Sequence, residues 1–392
     1  MSRLARQKGQ LDQPRQAFDV PPALPFAGDF EAEIKIRLSQ HFAAGNTKIA
    51  HMRLICDPAD TDQTGWWRVI LNIKKLFFGQ WLRLERSAPA ILAMALAAFS
   101  GTAALAADPL PVTEIAPGLF AFAGTPELMN GDNIGAIANI GFVIGENAVA
   151  VIDTGGSVRE GERLRAAIAA RTSLPIRYVI NTHVHPDHIF GNAAFEGEGV
   201  VFAGHKNLPR ALASRGTFYI NAFRPLMGEA LVADIRIIAP TLLVDGETTI
   251  DLGHRKLVLK AWKTSHSDSD LTVLDEQSRT LFSGDLVFLQ HTPVVDGSLL
   301  GLLSVMDEIV KIPALRVVPG HGPAVADWPQ AMAAQKGYFD RLAKDLRAMI
   351  ARGTDVGEAA RSAGQSEAPN WKLFGDFNPR NATAGFAELE WE

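Results

Sequence analysis

A chain of 392 residues, 47% hydrophobic and 21% charged, with 34 Gly and 22 Pro, excludes a mainly disordered, collagenous or low-complexity protein. Cys56 is the single cysteine, so an intramolecular disulfide and any Cys-rich zinc or iron–sulfur site are excluded too. Residues 1–107 carry 13 Lys/Arg and 9 Asp/Glu, whereas the other 285 carry 25 and 34; this acidic body gives no electrostatic reason to expect nucleic acid as a partner.

The positive excess at the start has the look of an address. Lys74, Lys75, Arg83 and Arg86 precede an uncharged run from Ala90 to Phe99, and Ala104-Leu-Ala106 follows it. A basic stretch, a short apolar run and an Ala-x-Ala site make a secretory signal over 83–106, with cleavage after Ala106 and a periplasmic or secreted product expected. The competing reading is a membrane anchor from Ala88 to Ala107; cleavage implies no stable membrane insertion afterwards. Residues 1–82 are longer than a signal n-region, and read either as a mis-called start, the true one lying near Met52 or within 69–76, or as a disordered tail. An exported product would contain no cysteine, which suits an oxidising compartment.

Downstream, Ile137–Ile144 and Ala148–Asp153 flank the turn-forming Gly145-Glu-Asn and predict a hairpin. Ser157 with Glu160 is a capping box opening a helix through Leu164 and Ile168 to Arg171. Ile176–Asn181 then predicts a strand, completing a crossover unit. Residues 205–240 read as helix, then loop, a lid or insertion in which Phe218, Phe223 and Leu226 either wall a substrate or simply pack. Strands follow over 248–252, 256–262, 271–274 and 280–283, then a helix near 302–311, a strand over 316–318 and a long helix over 328–352. The tail from Gly353 gives a weak, mixed pattern. Two β-rich halves, each ending in helices, predict an α/β four-layer αββα sandwich with its core over 107–325. Residues 326–392 are expected as a helical region completing or appended to it.

Three of the ten histidines crowd into His183-Val-His185-Pro-Asp187-His188. Neutral imidazoles and a carboxylate are ligands for zinc and similar ions. Residues two apart in extended chain point the same way, so His183 and His185 can grip one ion while Asp187 and His188 face a second. One loop cannot complete a site. His266, Asp285 and His321 each follow a predicted strand, which is where open α/β sheets place their ligands. Gly284 and Gly320 beside two of them are expected to permit tight turns. Each later histidine alone is as well explained by a core or loop role; together with the first cluster they make a constellation.

That set, Thr182-His-Val-His-Pro-Asp-His188, then His266, Asp285 in Ser-Gly-Asp and His321 in Pro-Gly-His-Gly, resembles the metallo-β-lactamase superfamily over about residues 115–325. The resemblance implies that His183, His185 and His266 hold one zinc, that Asp187, His188 and His321 hold another, and that Asp285 bridges them. A metal-bridging hydroxide would then be the nucleophile, with Asp187 orienting it or accepting its proton. Asp153, ending Val-Ala-Val-Ile-Asp, matches the superfamily's strand-end aspartate and would orient a ligand histidine; a plain turn residue is the alternative. His291, six residues past Asp285, is a candidate substrate contact or a surface histidine. His205 and His254 read as structural or exposed.

Asp285 stands where the broad-spectrum lactamases carry Cys or Ser, and so resembles glyoxalase II and lactonases; His185 stands where the flavin-linked di-iron branch carries Glu. Ser265–Asp275, Leu281–Phe288 and Pro293–Leu299 are similar to exported zinc metallohydrolases that accompany periplasmic quinoprotein dehydrogenases and sulfur-oxidation systems. The expectation is a periplasmic dinuclear zinc hydrolase of a small ester, thioester, lactone or amide, linked to a quinoprotein system. The alternatives are a mononuclear iron enzyme like the persulfide dioxygenases, and a non-catalytic maturation accessory.

Overall fold

The computed structural model describes residues 108–392; the signal sequence and upstream extension read above lie outside the described residues. A seven-stranded sheet runs in the order β1(Thr113–Ala116), β2(Leu119–Phe122), β3(Ile140–Ile144), β4(Val149–Ile152), β5(Ile176–Ile180), β6(Val201–His205) and β7(Leu242–Val244). Its first four strands pair antiparallel and β4 to β7 run parallel. A second, six-stranded sheet joins β8(Glu247–Asp251), β9(Lys256–Ala261), β10(Leu271–Asp275), β11(Thr280–Phe288), β12(Arg316–His321) and β13(Ala326–Asp327), in the spatial order β13-β12-β11-β10-β9-β8.

Strand β4 shows why the sheets stack. All four residues of Val149-Ala-Val-Ile152 are buried: Val149 and Val151 pack under α1(Val158–Ala169), while Ala150 and Ile152 enter the layer between the sheets. Alternation sends successive side chains to opposite faces, so a strand apolar at every position needs cover on both. Helix α1 supplies Leu164, Ala167 and Ile168 to one side. On the far face of the second sheet, Leu281 and Val317 meet α5(Leu299–Ile309), α6(Met332–Ala351) and α8(Phe374–Leu389), while Phe282 and Val318 point inward. The architecture is the αββα sandwich of the sequence reading.

Several elements differ in extent from the expectation. The segment 205–240 is preceded by strand β6, and α3(Leu208–Met227) follows the single turn α2(Pro186–Ile189) and ends at Gly228 before the short α4(Glu229–Val232). Helix α5 starts at Leu299 rather than 302, because Ser298 accepts from the Gly301 N–H (2.8 Å) and Glu388 of α8 from Leu299 N–H (2.7 Å). Helix α6 starts at Met332, after Pro329. The tail forms α7(Val356–Ser362) and α8. Strand β11 continues through Asp285 to Phe288, so Asp285 lies inside a strand rather than after one. Among the described residues no helix is long and apolar enough to cross a membrane.

Candidate metal centre

The chemistry-bearing residues gather at one end of both sheets. Asp153 follows β4, Thr182 to His188 follow β5, His266 lies on the loop after β9, and His321 ends β12. Asp285 reaches them through an irregularity: β11–β12 pairing slips between Phe282 and Gly284 and again before Phe288. Gly284 there takes φ +49°, and a Cβ would stand 2.6 Å from Thr182 Oγ1. Gly320 serves differently from the expected turn: a Cβ there would lie 2.0 Å from Asp285 Oδ1, so this position must be bare for the carboxylate to fit. The loop carrying His266 is pinned from below by buried Asp270, which accepts from Ser265 Oγ (2.7 Å) and Ser267 Oγ (2.6 Å).

Two groups of potential ligand atoms result: His183, His185, His266 and Asp285, and beside them Asp187, His188 and His321. Asp285 reaches both. Its Oδ2 is 3.6 Å from His183 Nε2 and 3.4 Å from His266 Nε2, while Oδ1 is 3.1 Å from His188 Nε2. His321 Nε2 lies 3.3 Å from Asp187 Oδ2 and 3.5 Å from Asp285 Oδ2. All seven are buried except His185, at the rim.

Each of the five imidazoles is tied outward by one nitrogen. His188 Nδ1 donates to Asp153 Oδ2 (2.8 Å), His266 Nδ1 to the Val294 carbonyl (2.9 Å), and His321 Nδ1 to the Ile137 carbonyl (3.0 Å). Thr182 spends its hydroxyl proton on Asp153 Oδ2 (2.7 Å), so it accepts from His183 Nδ1 (3.0 Å). His185 Nε2 donates to Asp296 Oδ2 (3.1 Å). These bonds assign the tautomers and leave the remaining nitrogens with lone pairs turned inward. His183 Nε2, His188 Nε2 and Asp285 Oδ1 are buried with no hydrogen-bond partner, and His185 Nδ1 faces His266 Nε2 at 2.9 Å. Lone pairs and carboxylates pointed at one another repel unless a cation lies among them. The donor set, nitrogen-rich with two carboxylates and no sulfur, suits zinc or a similar transition ion.

Electrostatics express the same need. At His183 burial, then neighbouring His188, depresses the imidazole well below its usual range, and burial does the same at His266. Burial opposes charge at His188 and His321 as well, yet the carboxylates around them prevail: His188 is raised well above its usual value and His321 to about 9. Against burial, His188 and His321 hold Asp187 down at about 2.

Asp153 adopts φ +56° and accepts from the Thr182 N–H (2.8 Å) as well as from His188 Nδ1, touching one ligand's outer nitrogen and another ligand's support rather than the shared centre. His291 is 2% exposed, which removes the surface alternative; it stacks on His321 (4.8 Å between centroids), donates from Nδ1 to its neighbour Thr292's carbonyl, and is pushed to about 4, chiefly by burial. His205 is buried with Nε2 on the Trp262 carbonyl, and His254 is exposed. In the 217–240 segment Phe218 and Leu226 are exposed, while Phe223 packs edge-on against Phe190 (6.3 Å). Sequence reading missed Asp296, Arg215 and Tyr219, which crowd around His185; the only available signal was the i, i+4 spacing of Arg215 and Tyr219 on one helix.

The stereoselective inverting sec-alkylsulfatase Pisa1 from Pseudomonas sp. superposes with TM-score 0.56 at 16% identity, over 71% of this chain and 50% of that one. This chain thus spans about half that enzyme's length, and the likeness is one of fold. A metallo-β-lactamase from Pontibacter korlensis aligns at 19% identity and TM-score 0.48, over 59% of this chain and 99% of that one. No curated protein sequence matches. A model of the metallo-β-lactamase superfamily matches residues 134–321, a span that opens ahead of β3 and closes on His321, enclosing every one of the converging ligands. Residues 134–321, just under half of the chain, thus match the metallo-β-lactamase superfamily, and every converging ligand lies within that match.

Proposed function

We propose that the chain is a dinuclear zinc hydrolase acting on a small ester, thioester, lactone or amide. The observation that carries this reading is the inward convergence of five imidazole lone pairs and two carboxylates, each imidazole locked by an outward hydrogen bond. His183, His185 and His266 would hold one ion, Asp187, His188 and His321 the other, and Asp285 both. Bound zinc supplies Lewis acidity, polarising a carbonyl and bringing water's ionisation toward neutral pH.

The chain's own residues set the rest. Asp153 fixes His188, and through Thr182 it fixes His183, so one buried carboxylate orients a ligand of each ion. Asp187 turns Oδ2 toward His188 (3.7 Å) and His321 (3.3 Å); Oδ1 is the oxygen assigned to orient the attacking water and take its proton. With Nδ1 engaged by Thr292, His291 keeps only Nε2 to offer a substrate. No serine or cysteine nucleophile is required.

Periplasmic residence rests on the signal-like segment over 83–106, service to a quinoprotein system on sequence likeness alone, and both are proposed on that basis. The test combines metal analysis of purified protein with a panel of thioesters, lactones, esters and β-lactams. Two zinc ions per chain and hydrolysis of one class are expected, with Asp187→Asn lowering kcat by about 10²–10⁴-fold. Undiminished activity in that variant overturns the role of Asp187. One iron per chain with oxygen consumption on persulfides would assign the chemistry to the mononuclear alternative.

A further inference from the structure

Four of the five outward bonds end on buried side chains or on backbone carbonyls: on Asp153, on Thr182, and on the carbonyls of Val294 and Ile137. The fifth does not. His185 Nε2 donates to Asp296, 111 positions away on the loop between β11 and α5. Asp296 is in turn gripped by Arg215 of helix α3, whose Nη1 also donates to the Tyr219 hydroxyl (3.4 Å) one turn on. The Tyr219 ring stands edge-on to His185 at 6.1 Å. The Asp296 backbone N–H meanwhile donates to the His266 carbonyl (3.0 Å), so one residue touches two ligands of the same group.

We propose that Asp296 is the positioning residue for His185 and that Arg215 holds Asp296 in place, coupling helix α3 to the grip of the His183–His185–His266 group. The inference rests on reading that group as a metal site. Its physical content is specific. A carboxylate accepting from the outer nitrogen fixes which imidazole nitrogen carries the proton and makes the inner one a stronger donor to a cation. Asp296 alone, with its side chain 38% exposed, would exchange that bond for water; the charge-assisted bond from Arg215 Nη1 restrains it. His185 is the ligand whose side chain is most open to solvent, at 15%, and the one whose outward bond ends on a partly exposed side chain held by α3. It is therefore the ligand through which a shift of α3 reaches the ions.

Competition of Zn²⁺ against a chromophoric chelator tests this on the full protein, with the visible spectrum of the Co²⁺-loaded form as a second readout. The wild type is expected to bind two ions. Asp296→Asn should weaken one of them by about 10–100-fold, leave the other unchanged and alter the Co²⁺ spectrum. Arg215→Met should weaken the same ion by a smaller factor, and Arg215→Lys should recover most of that loss. Wild-type affinities for both ions in Asp296→Asn and Arg215→Met overturn the coupling while leaving the metal centre standing. Equal weakening of both ions also overturns it, since that reports a general loosening. A wild-type chain that binds neither Zn²⁺ nor Co²⁺ overturns the metal reading itself, and this inference with it.

Discussion

Glu160 illustrates how a residue legible as a helix cap also becomes a titrating element once it is buried. Its N–H donates to Ser157 Oγ (3.2 Å), the cap that the spacing of Ser157 and Glu160 predicts, while its Oε2 accepts from the N–H of Gly156 (2.8 Å), one residue ahead of the N-cap. The side chain has no exposed surface, and Oε1 has no partner. Burial raises its pKa from the ordinary 4.5 to about 8, against the opposing Gly156 hydrogen bond. Between those values the folded chain keeps a proton that the unfolded chain has released, so stability falls as pH rises through this window. Glu160→Gln cannot ionise. Its melting temperature should exceed the wild type's near pH 8 and approach it near pH 5, at matched metal loading; parallel curves for the two proteins would contradict the assignment. Capping is local in sequence, whereas the proton depends on what is packed above it.

At the scale of elements, helix α8 and the loop over residues 289–298 act together. Lys372, just before α8, exchanges backbone bonds with Gln290 and Thr292, and Asn381 accepts from Val295 N–H (2.9 Å) and donates to the Pro293 carbonyl (2.6 Å). Asn381 also donates to the Tyr338 hydroxyl (2.9 Å), which in turn donates to Asn378 Oδ1 (2.9 Å). This loop carries the Val294 carbonyl that orients His266 and the Asp296 carboxylate that meets His185. Asn381→Ala leaves buried backbone groups unpaired, a cost of about 1–3 kcal/mol. We expect lower thermal stability together with weaker Zn²⁺ binding, read by unfolding and chelator competition; a change in stability alone would confine Asn381 to packing. Residues 326–392 were expected to be helical, but the bounds of α8 were illegible because its buried face mixes Asn378, Asn381 and Gly385 with Phe374, Phe386 and Leu389, and because it contains Pro379. Hydrophobic periodicity detects helices that bury oil. This one buries amides, of which Asn381 bonds a loop 86 and 88 residues earlier.

Across the whole molecule, two sheets meet along an apolar layer and leave at one end a concentration of lone pairs and carboxylates that only cations satisfy. Metal binding is thus part of folding stability: an ion at a thousandfold excess over its Kd contributes about 4 kcal/mol. Dialysis against a chelator should lower the melting temperature, and Zn²⁺ should restore it while Mg²⁺, which prefers oxygen ligands, should not. An unchanged melting temperature after verified metal removal would show that the folded chain tolerates the empty cluster. Sequence alone determined the layers of the sandwich, since two β-rich halves each end in helices that can cover a sheet, and it determined the 183–188 cluster, whose members are neighbours along the chain. The later ligands His266, Asp285 and His321 were legible as candidates after predicted strands, and their division between two ions only through family resemblance. What only the tertiary structure decided was how these residues are held: the slip in β11 that aims Asp285, the bare Cα of Gly320 beside it, and the Arg215–Asp296–His185 chain. Such pairings join side chains 81 and 111 positions apart. Their energy comes from proximity in space, and along the chain each partner is one more charged residue on a polar loop or helix face.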